Sequence, residues 1–219
     1  NVTSGDSRPA RILRADEHPP QSFYDSTVLH EGLNYIPMRD GITLAATVRP
    51  PLGLSLADGP FPTVIEYSGY QVAAPGDPLL NKLGGLFGLP RDPMAPGGET
   101  DVGSLLLRLA GFATVSVQIR GSGCSGGESD LFDLPTNLDG YDAIETIAAQ
   151  DWVLGNKVVQ TGLSYPGISQ LFVASTQPPH LAAITPLSVY DDTARGVLAP
   201  GGIYNKGFAL SWEIGRAHV

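Results

Sequence analysis

The stretch Val158-Val159-Gln160-Thr161-Gly162-Leu163-Ser164-Tyr165-Pro166-Gly167-Ile168-Ser169-Gln170-Leu171-Phe172 decides the fold. Its first four residues are β-prone, and the segment from Tyr165 to Thr176 has the composition of a helix, with Gly162 and Gly167 bracketing a serine between them. A serine on a sharp strand-to-helix turn is held with its hydroxyl exposed at the top of a sheet, and small neighbours are needed because the backbone there is crowded and strained. The second glycine falls three residues after Ser164, one later than in the common G-x-S-x-G pattern. A serine between glycines can also be only a turn, but the flanking strand and helix favour a nucleophile elbow.

Outward from this turn the pattern repeats. Leu33–Pro37 and Ile42–Val48 flank Arg39-Asp40-Gly41, a turn signal that predicts a hairpin. Pro62–Tyr67 reads as a strand, Leu105–Ala110 as a helix ending at Gly111, and Phe112–Ile119 as a buried strand. Asp139–Trp152 carries Tyr141, Ile144, Ile147 and Ala148 at helical spacing, and Leu181–Val189 reads as a last strand. Strand and helix alternate after the hairpin, so an α/β domain with a mostly parallel sheet is expected, its ligand site at the carboxyl ends of the strands.

Composition narrows the partners. Across 219 residues, 13 Lys and Arg stand against 22 Asp and Glu, a formal net charge of −9 that argues against a nucleic-acid partner. The single Cys124 excludes an internal disulfide, and no apolar run is long enough to cross a bilayer, so a soluble chain is expected, cytoplasmic or exported. From Asn1 to Gln21 the chain is polar and without apolar periodicity, as in a flexible arm; Asn1-Val2-Thr3 fits the glycosylation pattern but is read as chance.

A second glycine-rich turn makes a rival claim. Gly121-Ser122-Gly123-Cys124-Ser125-Gly126 follows a strand and matches G-x-G-x-x-G, which would place a nicotinamide or flavin nucleotide on a nucleotide-binding or non-catalytic module. The residues after it run into Pro135 with no helix opening, and the acidic residues some way on, Asp142 and Glu145, fall on a helix rather than at a strand tip. Dinucleotide binding is therefore the weaker reading. Acyl transfer at Ser164 would instead need donors for an oxyanion. The backbone N–H of Tyr165 is the natural first donor. Tyr70, in the loop after the Pro62 strand, has a hydroxyl able to be the second, or it simply caps the sheet edge.

Five motifs together carry a resemblance: Pro37-Met38-Arg39-Asp40-Gly41-Ile42-Thr43-Leu44-Ala45, Glu66-Tyr67-Ser68-Gly69-Tyr70, Arg120–Gly127, Asp139-Gly140-Tyr141-Asp142, and Gly162–Gly167. In order and spacing, over about Tyr35 to Trp212, the chain resembles the Xaa-Pro dipeptidyl-peptidase-like serine hydrolases, which include cocaine-esterase-like and α-amino-acid ester hydrolase enzymes. It looks most like actinobacterial members. The resemblance implies an α/β-hydrolase fold with helices on both faces of the sheet, Ser164 as nucleophile, and the Tyr165 N–H and Tyr70 hydroxyl as oxyanion donors. It implies no cofactor and no metal, and a small-molecule ester, amide or peptide substrate; oligomeric state is left open. It also makes the Arg120–Gly127 segment part of the scaffold, with Cys124 a small residue in a tight turn.

The same resemblance places the catalytic acid and histidine beyond a helical cap, far downstream of the serine. His180, in Pro178-Pro179-His180, reads as an exposed helix-end residue, and Asp191 and Asp192 are not assigned to a triad. Residues 22–212 are expected to be a partial hydrolase domain, truncated before the cap and final strands and inactive alone. Glu213-Ile214-Gly215-Arg216-Ala217-His218-Val219 departs from the family. It is what GAG ATC GGA AGA GCA CAC GTC encodes, a string containing the start of a sequencing adapter, so a non-native tail is expected there, His218 included.

Overall fold

The structure is a computed structural model in which residues 17–70, 102–128, 130–190 and 192–207 are described. A short helix α1 (Gln21–Asp25) leads into the hairpin β1 (Gly32–Pro37) and β2 (Thr43–Arg49). Then follow β3 (Phe61–Ser68), α2 (Val102–Leu109), β4 (Ala113–Gln118), α3 (Leu134–Ala148), β5 (Val153–Leu163), α4 (Tyr165–Ser175) and β6 (Leu181–Leu187). The expected Asn1-Val2-Thr3 pattern, the 213–219 tail, Asp191 and His218 lie outside the described residues.

The six strands lie in the order β1-β2-β4-β3-β5-β6. β1, β2 and β4 pair antiparallel, whereas β4, β3, β5 and β6 are parallel neighbours. The sheet is thus mostly parallel with an antiparallel edge, and β3 and β5, whose ends carry Tyr70 and Ser164, lie side by side. The helices take opposite faces. Ser104 of α2 shares a hydroxyl–hydroxyl bond with Thr114 of β4 at 3.0 Å, while Tyr67 of β3, pointing the other way, donates to the Thr136 carbonyl of α3 at 2.7 Å. Ile65, Val115, Val117, Ile144, Ile147 and Val158 form the fully buried centre of the core. No helix among the described residues is long and apolar enough to cross a membrane.

One element boundary is corrected. Pro135 does not stop a helix; it sits in the first turn of α3, where a missing N–H costs nothing, and Asp133 caps the turn by accepting from the Thr136 N–H at 3.0 Å. α3 therefore opens five residues before Asp139. Within it Gly140 is required by packing, because a Cβ there would meet Val173 Cγ2 of α4 at 2.3 Å. The two helices therefore pack closely where Gly140 faces Val173, near the C-terminal end of α4.

Candidate active site

β5 ends at Leu163 and α4 begins at Tyr165, so Ser164 alone makes the turn. Its backbone lies at φ 65° and ψ −121°, a conformation that residues with a Cβ seldom adopt. Two backbone bonds hold it there. The Ser164 N–H donates to the Leu187 carbonyl of β6 at 2.9 Å, and the Ile168 N–H to the Ser164 carbonyl at 2.8 Å, starting the ladder of α4. The glycines explain the shifted motif. A Cβ at Gly162 would stand 2.6 Å from Pro166 Cβ, and one at Gly167 would stand 2.4 Å from the Leu187 carbonyl oxygen. With proline in the place of the usual second glycine, the close approach to β6 passes to residue 167.

The side chain of Ser164 is exposed, and Tyr70 meets it: the two hydroxyl oxygens are 3.3 Å apart. Tyr70 follows β3 and is anchored by its own N–H, which donates to Ser68 Oγ at 3.1 Å. Its ring stands edge-on to the ring of Tyr165, with centroids 5.8 Å apart. Tyr165 is fully buried and opens α4, so its N–H is at the positive end of an 11-residue helix. The three residues singled out in the sequence are thereby brought to one point. Beside them, on the α2 side of the sheet, a 410 Å³ groove is walled by Val64, Leu106, Leu107, Leu163, Leu187 and Tyr70.

The glycine-rich turn 121–126 is not shaped as a phosphate cradle. Gly121 and Gly126 donate to Gly126 and Thr43 carbonyls, Ser122 and Ser125 to Ile119 and Ser122 carbonyls, and Cys124 to the Gln118 side chain at 3.3 Å. Ser125 Oγ donates to the Gln118 carbonyl and accepts from the Ala45 N–H, which fastens the turn to β2. The next helix opens only at Leu134. No group of three or more potential metal ligands occurs among the described residues.

Arg120, at the head of this turn, makes two bonds of 2.7 Å to the Asp139 carboxylate and one of 2.8 Å to Asp40. Burial pushes the Asp139 carboxyl up to about 7, more than the adjacent guanidinium pulls it down. Arg39 similarly grips the wholly buried Asp142, which also accepts from the Tyr24 hydroxyl at 2.9 Å. The Arg39, Asp40, Arg120, Asp139 and Asp142 positions of the sequence motifs are thus clamps joining hairpin, turn and α3, a role that local sequence gives no sign of.

His180 stands at the start of β6, at the opposite end of the strand from Leu187 and the elbow. It is not an exposed helix end: its Nδ1 lies 2.6 Å from the Glu145 carboxylate and its side chain is 31% exposed. Asp192 accepts from the Arg195 N–H at 2.8 Å and so caps a helical turn. Neither is brought to Ser164. Phe132 was not anticipated, and its ring packs on that of Tyr165 with centroids 4.7 Å apart.

Comparison with known proteins agrees with the fold. The sequence model of the X-Pro dipeptidyl-peptidase (S15) family matches residues 40–218. Proteins of Mycobacterium bovis and Mycobacterium tuberculosis, both provisionally named serine esterases, are 28% identical over 180 residues, 81% of this chain and 27% of theirs. A crystal structure of a CocE/NonD family hydrolase from Staphylococcus aureus superposes with a TM-score of 0.70 at 29% identity, covering 86% of this chain and 33% of that one. An α-amino acid ester hydrolase shares the fold, with a TM-score of 0.56 at 20% identity over 75% of this chain and 26% of its own. The chain therefore spans about a quarter to a third of the length of these relatives.

Proposed function

Since the chain belongs to the X-Pro dipeptidyl-peptidase (S15) family of hydrolases, we propose that it carries the nucleophile and oxyanion donors of an enzyme that cleaves an ester or amide bond through an acyl-enzyme on Ser164. The observation that supports this best is the approach of Tyr70 Oη to Ser164 Oγ at 3.3 Å across an exposed turn at the end of a parallel strand. Ser164 Oγ attacks the substrate carbonyl as a general base removes its proton, and the tetrahedral oxyanion accepts hydrogen bonds from the Tyr165 N–H and the Tyr70 hydroxyl. The leaving alcohol or amine takes the proton back from the base, and water then hydrolyses the acyl-enzyme by the reverse order of transfers.

The base and its acid partner follow the serine in the chain order of this fold. The described histidines are engaged elsewhere: His18 stacks on Tyr141, His30 lines a groove with Trp152, and His180 pairs with Glu145. We therefore place the base outside the described residues and expect the 219-residue chain by itself to turn over esters poorly. In this reading residues 22–212 are one part of a larger catalytic domain. The substrate is a small ester, amide or peptide, with ester cleavage favoured by the names of the mycobacterial relatives.

A fluorophosphonate probe applied to the full-length gene product tests the reading. Modification of Ser164, lost in Ser164→Ala, is expected; equal labelling of both proteins would overturn it. Rates on 4-nitrophenyl acetate and on Gly-Pro-4-nitroanilide then separate esterase from dipeptidyl-peptidase action.

A further inference from the structure

The oxyanion reading uses Tyr165 and Tyr70 but leaves unexplained how the exposed Tyr70 keeps its direction. Tyr70 is 41% exposed, and the edge of its ring packs against Tyr165. Tyr165 is in turn stacked on Phe132 at 4.7 Å and 20°, and the other face of Phe132 is stacked on Phe172 at 4.8 Å and 11°. Tyr190 closes the edge of Phe132 at 6.5 Å. Four rings therefore run in series from the interior of α4 to the hydroxyl that faces Ser164.

Phe132 is held in this series at a conformational cost. Its φ is +51°, in the left-handed region that a residue with a Cβ avoids, and it is 7% exposed. A glycine or asparagine would make the same turn more easily, so the turn is built around the ring. Neighbouring bonds hold the backbone in place: Asn137 Nδ2 donates to the Phe132 carbonyl at 3.2 Å, and Asp133 caps the helix that follows immediately.

We propose that Phe132 is a positioning residue of the oxyanion site, its ring wedged between Phe172 and Tyr165 so that Tyr165 fixes the direction in which Tyr70 presents its hydroxyl to Ser164. This rests on the hydrolase reading above. The lever is long, because a phenol oxygen is remote from its Cα: a swing of about 10° moves it roughly 1 Å, the size of misplacement that costs about 10²-fold in rate. Phe132 touches no reacting atom in this scheme and acts through Tyr165.

The test compares Phe132→Leu, which keeps bulk but removes the ring, with Phe172→Leu, which removes the ring on the other side of Phe132. In the 219-residue chain carrying ¹³C-labelled tyrosine, Phe132→Leu is expected to shift the ring signals of both Tyr165 and Tyr70, whereas Phe172→Leu, which leaves Phe132 stacked on Tyr165 and held by the Asn137 bond, moves Tyr70 much less at a similar loss of melting temperature. In the full-length protein, Phe132→Leu lowers kcat on 4-nitrophenyl acetate about tenfold or more with KM little changed. Unmoved Tyr70 signals in Phe132→Leu, or an equal movement in Phe172→Leu, would overturn the proposal. If full-length protein is not modified at Ser164 by fluorophosphonate, the hydrolase reading falls instead, and the tyrosine signals still decide whether Phe132 sets Tyr70. The same readouts on Phe132→Met decide the matter should the leucine variant fail to fold.

Discussion

Tyr70 and Ser164, 94 positions apart in the chain, have their hydroxyl oxygens 3.3 Å apart. Parallel pairing of β3 with β5 brings the two strand ends together, and the elbow at Ser164 and the anchoring of Tyr70 on Ser68 turn both hydroxyls to the same point. In the proposed mechanism, removing the phenol oxygen deletes one oxyanion donor and nothing in the core. Tyr70→Phe should therefore lower kcat of the full-length enzyme by about 10²- to 10³-fold, as loss of such a donor does, with KM and melting temperature nearly unchanged. Steady-state kinetics on a 4-nitrophenyl ester gives the answer, and a purely tenfold rise in KM would place Tyr70 in substrate binding instead.

Strain at Ser164 predicts a gain of stability when the proposed nucleophile is removed. Ser164 sits at φ 65° with its Cβ in place. Glycine relieves a strain of about 1–3 kcal/mol, against an entropic cost of about 0.5–1 kcal/mol for the more flexible residue. Ser164→Gly should stabilise the chain by roughly 1 kcal/mol in urea unfolding, while Ser164→Ala, which keeps the Cβ, should not. A Ser164→Gly variant no more stable than Ser164→Ala would mean that the turn is not strained.

The alternation of strands and helices was legible because each element carries its own period: every residue of β4 is buried, and α4 follows its turn at once. The elbow was legible too, since Gly162, Ser164 and Gly167 are local and their roles depend on neighbours within five residues and on β6. Pro135 misled because the same residue breaks a helix interior and suits its first turn; only the Asp133 cap decides which. The glycine-rich turn was ambiguous for a similar reason, and long-range partners settled its shape, Thr43 accepting from Gly126 and the Gln118 amide filling the space a Cβ on Gly123 would need. The ring series through Phe132 could not be read at all: Tyr165 and Phe172 lie on a different element, and no spacing rule links a turn before α3 to a helix after β5.

The displaced glycine of the elbow gives a steric prediction. A methyl group at residue 167 would collide with the Leu187 carbonyl, the same oxygen that accepts from the Ser164 N–H. Backbone cannot swing aside as a side-chain tip can, so β6 must retreat. Gly167→Ala should destabilise by about 1–3 kcal/mol, the usual cost of overpacking, and should lower Ser164 labelling at the same time. Leu171→Ala, a change at an exposed position of the same helix outside the groove, is the control expected to spare both. Retention of full stability and labelling by Gly167→Ala would contradict the close approach of α4 to β6.

The pH dependence of stability should carry the mark of Asp139. Its carboxyl is pushed up to about 7 by burial, with Arg120 opposing the shift, while in the unfolded chain it titrates near the ordinary aspartate value. A group with the higher pKa in the folded state binds its proton more tightly there. Its contribution to stability is therefore fully present below the unfolded value and is lost as the pH rises toward 7. Asp139→Asn cannot titrate, and although it gives up the two ionic bonds from Arg120, Asp40 still partners the guanidinium. Urea unfolding between pH 5 and 8 should thus give a curve for Asp139→Asn that lies below wild type but lacks the wild-type decline across this window. If wild type instead stayed level from pH 5 to 8, parallel to Asp139→Asn, the ion pair with Arg120 would outweigh burial, and the carboxylate would be ionised throughout.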